Sequence, residues 1–266
     1  MSEKFIHKKS LGQHFLNSEY VPKQMCDAAS VDAGDTVLEI GPGTGALTRE
    51  ILKRGARVVA VEADERAIIS LQESFAEANA TGQLTIFHHD ARELDMSLFG
   101  LDDQQFKVVA NIPYYISGLL FRQCLESDIQ PTDLVFLVQK EVAQRIARDT
   151  KESILSMSVK VFGDPSYICT VKRGHFTPPP AVDSAVIAVH NISKERLQGI
   201  DSKTFFTLLH AAFGQKRKQL AGNLKPHFDK SATVLALADM TLDPHIRAED
   251  LTTQQFVYLL KKLLET

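Results

Sequence analysis

Asn111-Ile112-Pro113-Tyr114 is the stretch best suited to holding a nitrogen. Asn111 offers a side-chain carbonyl as an acceptor, a carbonyl next to Pro113 is fixed by a stiff backbone, and Tyr114 supplies an aromatic face. Two such acceptors can hold an aromatic NH2 group. A ring like that of Tyr114 stacks an extruded base, worth about 1–3 kcal/mol in single-strand binders. The lone pair of an adenine N6 is delocalised into its ring, so attack on an electrophilic methyl requires the nitrogen to be reoriented and its developing positive charge to be stabilised. Positioning and two acceptors supply both, and a sulfonium leaving group needs no acid. Taken alone, the tetrapeptide reads equally well as a turn entering a helix.

A second group points to a nucleoside. Glu39-Ile40-Gly41-Pro42-Gly43-Thr44-Gly45-Ala46 places Gly41 and Gly43 where a ligand can approach the backbone closely, and Glu62 follows 21 residues after Gly41, where a carboxylate can accept both hydroxyls of a ribose. Gly41, Gly43 and Ala46 also satisfy a dinucleotide fingerprint, so a nicotinamide or flavin enzyme competes on this motif. Asp90 reads either as an acceptor for an exocyclic adenine amine or as a helix N-cap. His88 and His89 find no Cys or His at metal-binding spacing, so no metal is expected.

These residues all follow apolar runs. Residues 36–40, 57–61, 84–88, 106–110 and 134–138 read as strands, each followed by helical periodicity, which predicts an α/β fold with a mostly parallel sheet covered on both faces. Gly41, Glu62, Asp90 and Asn111 then share the carboxyl edge of that sheet. Residues 167–171 and 184–189 read as a close antiparallel pair appended to the sheet edge. Beyond residue 195 the pattern is helical, so residues 1–195 are expected to form a catalytic domain and 196–266 a small all-helical domain.

The chain has 266 residues, 44% hydrophobic and 24% charged, as expected of a globular protein. Thirty Lys and Arg against 33 Asp and Glu give a net charge of −3, so a polyanion must be met by local patches. Such patches are Lys4, Lys8 and Lys9; Lys140, Arg145 and Arg148; and Lys216, Arg217 and Lys218 with Lys225 nearby. No apolar run approaches the length of a membrane span, and Cys26, Cys124 and Cys169 suit no disulfide framework. A cytoplasmic protein with reduced thiols is expected.

Gly12-Gln13-His14-Phe15-Leu16, the Glu39–Gly45 motif, Asn111–Tyr114, Gln139-Lys140-Glu141-Val142 and residues 176–184 (Phe-Thr-Pro-Pro-Pro-Ala-Val-Asp-Ser) occur in the order seen in one family. Together they resemble the KsgA-type ribosomal RNA adenine N6-dimethyltransferases over about residues 7–190. The resemblance implies a Rossmann-like class I methyltransferase sheet and S-adenosylmethionine as cofactor. It also implies two methyl transfers to each of two adjacent adenosines near the 3′ end of 16S rRNA, within the small ribosomal subunit or its precursor. Cofactor contacts are implied at His14, Leu16, Gly41, Gly43, Glu62, Asp90 and Asn111, and base-holding contacts at Asn111, Pro113, Tyr114 and Phe176. Phe176 would sandwich the adenine against Tyr114, although its residue type alone reads as a hydrophobic plug.

Related sequences commonly show Tyr-Gly-Arg-Leu-Ser where this chain has Ser153–Ser158, so an aromatic and a basic group are missing there. No protein partner and no membrane are expected, and the chain is expected to be a monomer. Large-subunit rRNA methyltransferases share the chemistry, and a non-catalytic ribosome-assembly factor is a further alternative.

Overall fold

The computed structural model describes residues 14–265. Lys4, Lys8, Lys9, Gly12 and Gln13 lie outside the described residues. The chain folds as two compact units. The first comprises the described residues through Ala143 together with Ser166–His190, and the second Gln144–Pro165 together with Asn191 onward.

A seven-stranded sheet is the frame of the first unit. The β-branched run Thr36–Ile40 forms β2, and Arg57–Glu62, Leu84–His88, Lys107–Asn111 and Asp133–Gln139 form β3, β4, β5 and β6. The strand order is β4-β3-β2-β5-β6, and every pairing among these five is parallel. Val58, Val59, Ala60, Val108, Val109, Ala110 and Leu134–Val138 are all buried, the continuous apolar pattern of parallel strands covered on both faces. The chain builds outward from β2 through β3 and β4, then restarts beside β2 at β5, so the strand order reverses between β2 and β5. In open α/β sheets ligands sit at such a reversal, beyond the carboxyl ends of the strands.

The two later strands are β7 (Asp164–Val171) and β9 (Ser184–His190). β9 pairs antiparallel with β6, in register from Gln139 opposite Ser184 to Leu134 opposite Val189, and β7 takes the outer edge beyond it. The pair expected as an antiparallel appendage thus adds to the edge of the sheet, with β9 inside and β7 outermost. A separate ribbon pairs β1 (Phe15–Leu16) with β8 (Phe176–Thr177), antiparallel, with Leu16 opposite Phe176. Helices α1 (Tyr20–Ala28), α2 (Ala46–Lys53), α3 (Glu65–Ser74), α4 (Ala76–Ala80), α5 (Ser117–Glu126) and α6 (Lys140–Ala147) complete the chain up to Ala147. Asp64 caps α3 by accepting the Arg66 N–H at 3.2 Å, satisfying one of the donors that a helix start leaves free.

The second unit holds α7 (Ile154–Lys160), α8 (Ser202–Ala212), α9 (Leu220–Leu224), α10 (Lys230–Asp239) and α11 (Thr253–Leu264), and no strand forms among the described residues after His190. Phe205 is its aromatic hub, with Phe206 at 5.2 Å and Phe256 at 5.9 Å, and Phe162 stacks on Phe206 at 6.2 Å. Gln144–Pro165 belongs with these helices because polar contacts reinforce that packing. The Glu152 N–H donates to the Glu249 carbonyl at 2.8 Å, Lys151 pairs with the Glu249 carboxylate at 2.8 Å, and the Ser193 N–H donates to the Phe162 carbonyl at 2.8 Å. Ser153 and Ser156, in the segment that departs from related sequences, cap α7 reciprocally.

Cys26 and Cys124 are buried, and burial raises both thiols, Cys26 to about 12, so neither is a thiolate nucleophile at neutral pH. Among the described residues no helix is long and apolar enough to cross a membrane, and no cluster of three metal-ligating side chains occurs.

Glu39 on β2 is 1% exposed, and its carboxyl accepts the Thr48 hydroxyl at 2.7 Å. Burial pushes this carboxyl up to about 8, against the opposing effect of the Thr48 hydrogen bond and with a smaller push from the Glu62 charge. A carboxyl raised from 4.5 to about 8 on folding stabilises the fold fully below pH 4.5, and that contribution is lost as pH rises through 8. Glu39→Gln removes the titration. The difference in Tm between variant and parent, followed by calorimetry from about pH 5 to 9, should shift steadily in favour of the variant as pH rises; a constant difference would contradict the assignment.

Candidate active site

The carboxyl ends of β2, β3, β4 and β5 open onto a cavity of about 350 Å³, within the size range of small-ligand pockets. His14, Gly41, Gly43, Glu62, Asp90, Asn111, Pro113 and Tyr114 all line it. Residues separated by almost a hundred positions in sequence meet there because β2, β3 and β5 are neighbours and end at the same edge.

The glycine loop between β2 and α2 forms the floor. Gly41 faces open space, with no heavy atom within 4 Å of where a Cβ would stand. Gly43 has φ +55°, and a Cβ there would lie 2.8 Å from the Phe15 ring; Gly45, at φ +78°, would meet Phe75 at 2.5 Å. Any larger residue at these two places would push the loop away from β1 or α3.

Glu62 ends β3 with its carboxylate held by three backbone donors, Gly43 at 3.1 Å, Ala63 at 2.9 Å and Asp64 at 2.9 Å. Burial raises this carboxyl, and the three N–H groups oppose the shift. A carboxylate has about four lone-pair sites, so roughly one remains for a ligand hydroxyl and a second hydroxyl must share.

Asp90 shows the capping role its residue type suggested and also stands at the cavity. It caps the short turn Ala91–Glu93 by accepting the Arg92 N–H at 2.9 Å, and it lines the cavity. The Arg92 guanidinium embraces its carboxylate, with Nη2 at 2.5 Å, and this side-chain hydrogen bond is the main reason the Asp90 carboxyl lies below its ordinary value. An ionised acceptor is therefore presented to a ligand amine.

Asn111 closes β5. Its Nδ2 donates to the His14 carbonyl at 3.1 Å, which fixes the amide orientation and leaves Oδ1 without a hydrogen-bond partner among the described residues, in a residue that lines the cavity. The Pro113 carbonyl accepts the Ile116 N–H at 3.2 Å and closes the turn into α5. The Ile112 carbonyl, just ahead of the proline ring, accepts no backbone hydrogen bond among the described residues.

Tyr114 is half-buried and gripped from two sides. Its ring stacks against that of His14, with centroids 5.8 Å apart and planes 25° apart, and its hydroxyl lies 2.6 Å from Ser184 Oγ. The His14 Nδ1 lies 2.8 Å from the Pro178 carbonyl, which can only accept, so Nδ1 carries the proton. Ser184 is fully buried at the start of β9. The sequence reading gave it no role; the serine closing the Phe176–Ser184 motif was the available signal, but its reach to Tyr114 depends on the β6–β9 register.

Leu16 and Phe176 do not reach the cavity wall. They face one another across the β1–β8 ribbon and are buried, at 9% and 2% exposure, in the hydrophobic core of the first unit. A two-residue strand turns successive side chains to opposite faces, so Phe15 meets the glycine loop while Leu16 points into the core. The ring stacked on Tyr114 belongs to His14.

Residues 4–264 match the profile of a family described as ribosomal RNA adenine dimethylase. The chain is 38% identical over 252 residues to a ribosomal RNA small subunit methyltransferase A from Dehalococcoides mccartyi, covering 94% of this chain and 86% of that protein. It is 37% identical to the protein of that name from Rippkaea orientalis, covering 97% and 98%. A crystal structure of a dimethyladenosine transferase from Plasmodium falciparum superposes with TM-score 0.80 at 25% identity, over 95% of this chain and 98% of that one. The 23S rRNA methyltransferase ErmE shares the fold, with TM-score 0.74 at 22% identity over 94% and 99%. The chain belongs to the ribosomal RNA adenine dimethylase family.

Proposed function

We propose that this S-adenosylmethionine-dependent rRNA adenine N6-dimethyltransferase acts on two adjacent adenosines near the 3′ end of 16S rRNA, in the small ribosomal subunit or its precursor. The observation that carries the site assignment is that Asn111, its amide nitrogen held by the His14 carbonyl, lines one cavity together with Ile112, Pro113 and Tyr114. When bound, S-adenosylmethionine supplies a sulfonium-activated methyl group that leaves a neutral thioether behind. Everything else is asked of the protein. Asn111 Oδ1 and the Ile112 carbonyl accept the two N–H bonds of the adenine amine, which aims the nitrogen lone pair and stabilises the positive charge that grows on it. Tyr114, backed by His14, offers its other face to the extruded base.

Glu62 suits a ribose hydroxyl and Asp90 the cofactor's adenine amine, while Gly41 leaves the open space a close-lying ligand needs. A nicotinamide enzyme, the competing reading of the glycine motif, would leave the two acceptors at Asn111 and Ile112 idle. In the second unit, Lys216, Arg217 and Lys218 are exposed between α8 and α9 with no carboxylate partner among the described residues, which supports an RNA-facing role for that loop. We place the enzyme in the cytoplasm as a monomer.

The reading is tested by mapping, with mass spectrometry, which rRNA fragment gains methyl groups when the enzyme is given small subunits lacking the modification. Methylation confined to large-subunit rRNA would overturn the substrate. Tyr114→Ala should abolish methyl transfer while leaving S-adenosylmethionine affinity, measured by calorimetry, little changed. Ser184→Ala should lower kcat about ten-fold by freeing the Tyr114 ring, a cost of the order of one hydrogen bond. In a Tyr114→Phe background the same change should cost little, because the hydroxyl it served is gone; equal costs in both backgrounds would show that Ser184 does not act through Tyr114.

A further inference from the structure

We propose that Lys140, Lys172 and Arg173 form a landing site for the RNA phosphodiester chain flanking the adenosine held at Tyr114. This rests on the reading of Tyr114 as the base platform. Three cationic residues from two parts of the chain converge on one aspartate, Asp183. Lys172 Nζ donates to its carboxylate at 2.8 Å, the Arg173 backbone N–H donates to it at 3.2 Å, and the Lys140 backbone N–H donates to its carbonyl at 3.0 Å. The Lys140 charge also helps to hold the Asp183 carboxyl below its ordinary value, behind the larger effects of the Lys172 and Arg173 hydrogen bonds, so its ammonium lies near the same carboxylate.

Around the backbone of Asp183 three cationic residues stand against its carboxylate and that of Glu141, the residue after Lys140, a local surplus of one positive charge. Lys172 is 72% exposed even while paired, and Arg173 is exposed. Among the described residues neither the Arg173 guanidinium nor the Lys140 ammonium is in a direct ion pair, and Lys140 acts on Asp183 only at longer range. In a chain with net charge −3 this surplus is local, and its place gives it meaning. Asp183 directly precedes Ser184, whose hydroxyl touches that of Tyr114, so the cationic turn and the base platform are anchored at consecutive residues, about 3.8 Å apart along the backbone.

The same turn carries His175, with its ring 6.2 Å from that of the half-exposed Tyr20. Cations interleaved with aromatic surface beside a base pocket match a nucleotide strand, whose phosphates need charge and whose neighbouring bases need flat faces.

The test uses the full-length enzyme carrying Arg173→Glu with Lys140→Gln, and separately Arg173→Gln, the milder change at a solvent-exposed position. Binding to unmethylated small subunits and to protein-free small-subunit rRNA is measured across a salt series, with calorimetric S-adenosylmethionine affinity and Tm as controls on folding. The double variant should bind both RNAs about ten-fold more weakly, and its log affinity against log salt should be shallower by about 1.4, as expected for losing two phosphate contacts to a single strand. Arg173→Gln should show about half that change in slope, with cofactor affinity at the parental value. An unchanged salt slope with intact cofactor binding overturns the landing site. So does weakened binding to subunits with undiminished binding to naked rRNA, which would place a ribosomal protein on this patch. Tyr114→Ala, assayed in parallel, separates the two ideas: retained methylation there refutes the base platform, whereas the salt slopes report on the cationic turn alone.

Discussion

A carboxamide can present either its oxygen or its NH2 to a ligand, and the two choices have opposite chemistry. In this protein the His14 carbonyl makes the choice by accepting Asn111 Nδ2 at 3.1 Å. With the nitrogen committed, Asn111 meets the cavity as an acceptor, the only sense in which it can hold an amine. The rotamer is thus fixed by a residue 97 positions away, and His14 is itself fixed by its ring, which donates to Pro178 and stacks on Tyr114. One short segment, residues 14–16, orients the Asn111 amide, stacks on the Tyr114 ring and packs Phe15 against Gly43. The cavity at the carboxyl edge of the sheet is shaped by it.

The sheet supplies what that segment lacks, a rigid frame. Parallel strands buried on both faces end together, and the reversal of strand order beside β2 leaves a gap there that no crossover helix fills. Charge is handled locally at this edge: Glu62 is held by three backbone donors and Asp90 by Arg92. Preorganised acceptors cost nothing to reorient at the moment of reaction.

Much of this was legible in the sequence because it is carried by local pattern. The β2–loop–α2 unit, Glu62 at the end of the next strand, and Asn111–Tyr114 after the fourth apolar run need only periodicity and spacing to be placed. What could not be read depends on register and on long-range closure. The burial of Phe176 follows from its pairing with Leu16 across the β1–β8 ribbon. Ser184 acquires a partner only through the β6–β9 alignment. The affiliation of Gln144–Pro165 with the helices was hidden because its apolar residues, Phe162 foremost, look like any amphipathic stretch following a sheet strand; their partners lie 40 to 100 residues later. The family resemblance supplied His14, for which no local signal exists.

The excursion of residues 144–165 has a consequence for modularity. Because this segment completes the core of the C-terminal helices, that unit is an interrupted one whose two parts straddle a stretch of the sheet unit. A single cut near residue 195 would strand Phe162, which is fully buried, without Phe206 to cover it, and would leave Lys151 and Glu249 on different polypeptides. The helical unit therefore cannot be exchanged, lost or grafted as a simple tail: any recombination that preserves both cores must carry two breakpoints in step.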